Sequence, residues 1–227
     1  MTDNNKKKQS KEPISNYDEI AESFSSKRSY PWTEVIDFVN SLPKEFNRVL
    51  DLGCGNGRHS RVVLEKSFET FASDISYKIL SVAKNTHLKE NYSSLSGLIN
   101  ADALDLPFRL NTFDCIIVIA VIHHLDTHKK RMRILHEIYR TLKQNGIAFI
   151  CCWMREHPRF SREDLSESVT KGEKDILVPW TLPTGEKLMR YYYLFDQEEL
   201  HDMVKQIGFN IKQSFTSNDN LFLELVK

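Results

Sequence analysis

The feature that most constrains the 227-residue chain is the run Val49-Leu50-Asp51-Leu52-Gly53-Cys54-Gly55-Asn56-Gly57. A short apolar stretch runs into alternate glycines, which let a backbone turn tightly and approach a ligand closely at the end of a strand. Residues 48–52 therefore read as a first strand, and the helical pattern of residues 58–66 follows the turn. The alternation continues with a second strand at 70–73 that ends in Asp74, a helix at 76–88 and a short third strand at 97–100. Residues 113–120 are apolar on both faces, as a central buried strand must be. A helix at 127–143, stopped by Gly146, leads to a fifth strand at 147–153. Strands alternating with helices predict right-handed βαβ units, hence an α/β fold on a mostly parallel sheet with helices on both faces.

The flanks are simpler. Residues 1–13 predict a disordered basic tail, and residues 14–227 one domain. Helical spacing marks residues 14–24 and a second helix from about Trp32 to before Pro43. Residues 155–188 break the alternation and read as an inserted loop with little regular structure. Asp196 and Glu199 form a capping-box pattern at the start of a last helix that stops at Gly208. Residues 210–214 and 221–226 then predict a terminal hairpin. No apolar run approaches the roughly 18 residues that a membrane span needs, so no membrane is expected. The polar N-terminus and four unspaced cysteines predict reduced thiols in the cytoplasm, with the nucleus open as a second location.

The glycine spacing narrows the ligand. Dinucleotide sites use GxGxxG with pyrophosphate at the helix start, whereas this chain has GxGxG preceded by Asp51. An acid there suits a ligand with a cationic amino group and no phosphate, namely S-adenosyl-L-methionine. Asp74, after the second strand, is placed for ribose hydroxyls, and Asp102, after the third, for an adenine amino group. On these residues the chain resembles the class I S-adenosylmethionine-dependent methyltransferases. The resemblance implies a Rossmann-like, seven-stranded, mostly parallel sheet with an antiparallel last strand. It also implies that Gly53, Gly55 and Gly57 surround the methionine part and that Asp74 holds the ribose. Ile75, Asp102 and Ala103 would contact adenine, with Ala120 near the methionine end.

The fourth strand ends in Ile119-Ala120-Val121-Ile122-His123-His124, which sets two histidines beside the reacting methyl group in that fold. No metal site is expected, because the cysteines lack ligand spacing. Four segments then act together: residues 17–32, the pair Cys152-Trp153, Leu177-Val178-Pro179-Trp180, and Arg190-Tyr191-Tyr192-Tyr193-Leu194-Phe195. With residues 119–124 they resemble the eukaryotic tRNA wobble-uridine carboxymethyl methyltransferases, over residues 14–227. That family methylates the carboxylate of 5-carboxymethyluridine to a methyl ester. The chain departs from it in a shortened insertion around Gly185, and in Tyr193, where a histidine is common. A carboxylate acceptor has a pKa of about 4 and needs no general base. Arg28 and Arg190 are then candidates to grip the carboxylate or a phosphate, and Tyr17, Trp32, Trp153 and Tyr192 to wall the pocket. His123 and His124 become positioning donors.

Net charge is zero, with 31 basic and 31 acidic side chains, which argues against a uniformly basic nucleic-acid binder. Locally, residues 127–145 carry six bases against one acid, Glu137. Lys129, Lys130, Arg131 and Arg133 at the start of that helix, with Arg155, are candidate RNA contacts; a solvated helix face is the alternative. The third strand should lie at a sheet edge and is apolar at Leu98 and Ile99. The resembling enzymes work with a small zinc-binding activator subunit, so the resemblance implies that it covers this edge. Two other readings stay open: a methyltransferase for a quinone, sterol or carboxylic acid, and an inactive cofactor-binding scaffold.

Overall fold

Phe113–Ile119 is buried on both faces except at Asp114, and it forms the middle strand of a seven-stranded sheet. The computed structural model describes residues 17–89, 95–155, 169–170 and 172–227, so the expected tail at 1–13 lies outside the described residues. In chain order the parallel strands are β1 (Arg48–Leu52), β2 (Glu69–Asp74), β3 (Leu95–Asn100), β4 (Phe113–Ile119) and β5 (Leu142–Trp153). A second, antiparallel sheet contains β6 (Val169–Thr170), β7 (Asp175–Thr181) and β8 (Lys187–Tyr193). The hairpin β9 (Asn210–Ser217) and β10 (Asn220–Val226) completes the large sheet in the order β3-β2-β1-β4-β5-β10-β9. β10 runs antiparallel to both its neighbours, as expected of the last strand. Asn218 and Asp219 both hold positive φ in the two-residue turn, the conformation that suits the twist of a hairpin.

Helices cover both faces. On one, α5 (His128–Thr141) and α6 (Gln197–Ile207) bury Ile134, Leu135, Ile138, Leu200, Met203 and Val204 against the sheet. On the other, α2 (Thr33–Ser41) and α3 (Arg58–Leu64) bury Val35, Phe38, Val39, Val62 and Val63. Phe38 stacks on Phe149 at 4.1 Å. α4 (Tyr77–Asn85) starts at Ser76, whose hydroxyl accepts from the Ile79 amide, and α5 starts at Thr127, which accepts from Lys130. Among the described residues the N-terminal segment differs from the expected helix at 14–24. It forms a 3-10 turn at Asp18–Ile20 and then α1 (Ala21–Ser26), while residues 14–16 lie outside the described residues.

Two expectations fail for physical reasons. Part of the insertion read as an irregular loop is the β7–β8 hairpin, in register from Asp175 opposite Tyr193 to Thr181 opposite Lys187. Pro179 disguised the strand. It is tolerated because β6 pairs only with Ile176 and Leu177, so among the described residues nothing needs an amide from Pro179 on that side. The capping box at Asp196 is also absent, since Asp196 makes no cap hydrogen bond. Lys174 takes both acids instead, at 2.7 Å from Asp196 and 2.7 Å from Glu199.

One buried ion pair ties α5 to the loop that carries Asp102. Glu137 is fully buried; it accepts from Arg140 Nε at 2.8 Å and from the Leu106 amide at 2.8 Å. Arg140 also donates to the carbonyls of Leu106 and Phe108, both at 2.7 Å. Removing one member of such a set leaves buried groups unpaired. Glu137→Ala is expected to lower the unfolding free energy by about 3 kcal/mol, read from urea denaturation at pH 7.

Candidate active site

The parallel strands leave their loops at the carboxyl edge of the sheet, where ligands bind in open α/β folds. A cleft of about 280 Å³ opens there. At one end Gly53 and Cys54 donate to the Ser73 carbonyl at 2.7 and 2.9 Å, which draws the glycine loop onto the end of β2. Gly53 has φ +71°, and a Cβ there would lie 2.3 Å from Val121 Cγ2, so only glycine fits. Asp74 then receives the amide of Gly55 on one oxygen and that of Ser76 on the other, both at 2.9 Å. Burial pushes its carboxyl above the usual range, and the backbone amides oppose that shift.

The other end is aromatic and basic. β4 is followed by Ala120, a non-glycine residue with φ +60°, and then by a 3-10 turn at Ile122–His124. His123 Nδ1 accepts the Trp153 amide at 3.1 Å, so neutral His123 carries its proton on Nε2. That Nε2 is buried without a hydrogen-bond partner among the described residues. His124 donates from Nδ1 to the Tyr191 carbonyl at 3.0 Å, and its Nε2 accepts from the Tyr17 hydroxyl at 2.9 Å. Burial lowers both histidines, His123 far below the ordinary value and His124 to about 4, so both are neutral at pH 7. Burial likewise pushes the Tyr17 phenol well up, which keeps it a donor. Trp153 and Tyr192 stack at 4.1 Å beside the histidines.

Arg190 closes this end. It is 3% exposed, and its guanidinium lies 4.7 Å from the Trp180 ring centroid and 5.2 Å from that of Tyr192. Its Nε and Nη1 have no hydrogen-bond partner among the described residues. Two aromatic faces thus hold a buried cation that presents unfilled donors.

The structure gathers Tyr17, Arg28, Gly53, Gly55, Asp74, Ile75, Asp102, Ala103, Ala120, His123, His124, Trp153 and Arg190 on the cleft wall. Asp51 and Gly57, expected at the cofactor, are not on it. Gly57 turns the chain into α3. Asp51 is buried and accepts from Ser60 Oγ at 2.5 Å, because the glycine turn carries the cleft past the strand that bears it. Of the expected RNA contacts, Lys129, Lys130, Arg133 and Arg155 are exposed. Lys130 pairs with Asp126 and Arg133 with Glu137. Arg131 is withdrawn from that surface: it is buried, lies 3.5 Å from the Tyr193 ring centroid and donates to the Leu125 carbonyl. Leu98 and Ile99 sit half-buried on the edge strand β3. Sequence reasoning missed Asn56, Arg58, His59 and Tyr191 on the cleft wall. Asn56, Arg58 and His59 directly continue the glycine loop, which was the available signal. No cluster of metal-ligating side chains occurs among the described residues, and no described helix is long and apolar enough to cross a membrane.

The cleft fits S-adenosylmethionine by its donor set. Each Asp74 oxygen, with one lone pair filled by an amide, retains another for a ribose hydroxyl. A Cβ on Gly55 would meet only Phe24 and Ile79, at 3.7 and 3.8 Å, so the bare backbone there leaves the cleft open. Residues 50–150 match the methyltransferase domain family. A S-adenosylmethionine-dependent methyltransferase from Methanosarcina mazei superposes with a TM-score of 0.69 at 19% identity, covering 87% of this chain and 98% of that one. A chain of the complex between the Haloferax volcanii Trm112 methyltransferase activator and a methyltransferase superposes with a TM-score of 0.66 at 17% identity, covering 94% and 98%. Fold and site thus define a S-adenosylmethionine-dependent methyltransferase. The tRNA (carboxymethyluridine(34)-5-O)-methyltransferase of Schizosaccharomyces pombe is 33% identical over 223 residues, 90% of this chain and 91% of that protein. The chain belongs to this family of tRNA (carboxymethyluridine(34)-5-O)-methyltransferases.

Burial, aided by the Asp74 charge, raises the Asp51 carboxyl to about 7. An unfolded aspartate loses its proton near pH 4, so between pH 4 and 7 only the folded chain holds it. Stability from this group is full below pH 4 and is lost as pH rises through 7. Asp51→Asn removes that loss. Its unfolding free energy relative to the parent is expected to climb by about 4 kcal/mol from pH 4 to 8, measured by urea titration at each pH.

Proposed function

We propose that the chain methylates the carboxylate of 5-carboxymethyluridine at the wobble position of tRNA, giving the methyl ester. The observation that carries this reading is Arg190, a buried cation with unfilled donors, on the same cleft wall as His123, whose buried Nε2 is unpartnered among the described residues. Charge-assisted hydrogen bonds from a guanidinium to a carboxylate are strong, and Nε and Nη1 are each left to make one. A neutral imidazole N–H adds a third donor without a second charge. The S. pombe relative, named for the same chemistry, supports the assignment.

Bound S-adenosylmethionine supplies an electrophilic methyl group on a sulfonium. Asp74 would hold its ribose, Ile75, Asp102 and Ala103 its adenine, and the backbone at Gly53, Gly55 and Ala120 its methionine part. The acceptor carboxylate is ionised at neutral pH, so no residue has to remove a proton. The neutral histidines are suited to this, since neither needs to act as a base. Trp153, Tyr192 and Tyr17 exclude water, which favours a step in which charge is annihilated. Arg190 loses attraction to the acceptor as that charge disappears, so its contribution is alignment and capture.

Exposed Lys129 and Arg155 support RNA contact around the cleft. The partly apolar edge of β3, at Leu98 and Ile99, supports pairing with a small zinc-binding activator subunit. The decisive experiment incubates the chain, with and without that activator, with labelled cofactor and carboxymethyluridine-containing tRNA. Base-labile label in the tRNA is expected. Arg190→Ala should lower kcat/KM by roughly 10- to 100-fold while cofactor affinity, measured calorimetrically, stays within about twofold. Wild-type turnover by Arg190→Ala would remove the carboxylate clamp from this residue.

A further inference from the structure

A second, shallower cavity of about 380 Å³ lies between residues 30–34, which lead into α2, and the β9–β10 hairpin. Tyr30 and Trp32 line it, over the fully buried Phe222. Tyr30 is 83% exposed, so its ring contributes little to the core. Trp32 packs edge-on against Phe222 and also lines the cofactor cleft, so one indole forms a wall of both cavities. The strand register makes the same connection. Asn220, which lines this cavity, sits opposite Trp153, which lines the cleft.

Two acceptors stand among the polar groups here. Asn220 is 7% exposed and donates from Nδ2 to the Asn218 carbonyl, yet its Oδ1 has no partner among the described residues. The Glu34 carboxylate stands on the same wall, held on one oxygen by Ser217 Oγ at 2.5 Å and Asn218 Nδ2 at 3.0 Å. Flat aromatic faces with acceptors at their edge suit a planar ring that stacks and carries N–H donors. Among nucleic-acid components, adenine, cytosine and guanine have an exocyclic amino group, and uracil does not. Unpaired bases bind proteins through just such stacking and edge contacts.

We propose that this cavity takes the base next to the target nucleotide, and that Glu34 and Asn220 favour a base with an exocyclic amino group. This rests on the RNA acceptor proposed above. The shared Trp32 wall sets the occupant one step from the nucleotide in the cleft, and exposed Tyr30 supplies a stacking face.

The test uses the full chain, with and without the activator, and anticodon stem–loops that carry 5-carboxymethyluridine. The neighbour on each side is in turn adenine, cytosine, uracil or an abasic sugar. Tyr30→Ala is expected to lower kcat/KM about tenfold on RNAs with an amino base at one of the two neighbours. The loss should vanish when that neighbour is abasic, and Tyr30→Phe should keep the parental rate. Glu34→Gln should level the preference for adenine or cytosine over uracil at the same position. Cofactor binding by all three variants reports that they are folded. Equal effects on intact and abasic RNAs, or no effect on any, would overturn the proposal. Failure of the parent chain to methylate any of the RNAs would overturn the RNA acceptor itself, and this site with it.

Discussion

Asp74 is the joint on which the site depends. Its two oxygens fasten the amide of Gly55, in the glycine loop, to that of Ser76, at the start of α4. The Ser76 hydroxyl in turn donates to Asp18 at 2.5 Å, and Asp18 also accepts from the Lys78 amide at 3.0 Å. The next residue back, Tyr17, bonds His124, and His124 bonds the Tyr191 carbonyl on β8. A continuous path thus runs from the cofactor end of the cleft to the acceptor end through the N-terminal segment. Each bond contributes only about 1 kcal/mol net, but a buried group left unpaired costs more. The path therefore holds or fails largely as a unit.

The acceptor end is organised by a conflict between burial and charge. Burial and neighbouring cations leave His123 and His124 neutral, and burial keeps Tyr17 protonated against the opposing charge of Arg190. Arg190 cannot be neutralised in the same way, since a guanidinium remains charged in proteins. It is instead stabilised by two ring faces, with donors left over. Unfilled donors on a buried side chain are costly. The same arrangement explains why the histidines serve as hydrogen-bond partners. Protonating either would place a second buried charge beside Arg190.

The local signals in the chain were strong where one residue type had only one use. Alternate glycines between a strand and a helix, with one acid at the end of β2 and another after β3, marked one wall of the cleft. The unbroken apolar run of β4 placed the centre of the sheet. The failures share a cause: each depended on a partner distant in sequence. Arg131 looks like a surface cation until Tyr193, from β8, covers it. The capping residues Asp196 and Glu199 lose their roles to Lys174. Pro179 argues against a strand unless the neighbouring strand is known to be short.

What the sequence by itself determined, then, is the alternating α/β framework, the glycine loop with Asp74, and many of the aromatic and basic side chains that line the cleft. Periodicity and turn chemistry act between neighbours, so they are legible from one chain. Only the tertiary structure decided which of those side chains face the cleft. It buried Asp51 beneath the loop, turned Arg131 inward and set Arg190 against Trp180 and Tyr192 by folding part of the insertion into a hairpin. It also set Trp32 between two cavities. These outcomes depend on which surfaces meet across the fold, and burial then decides which charges survive.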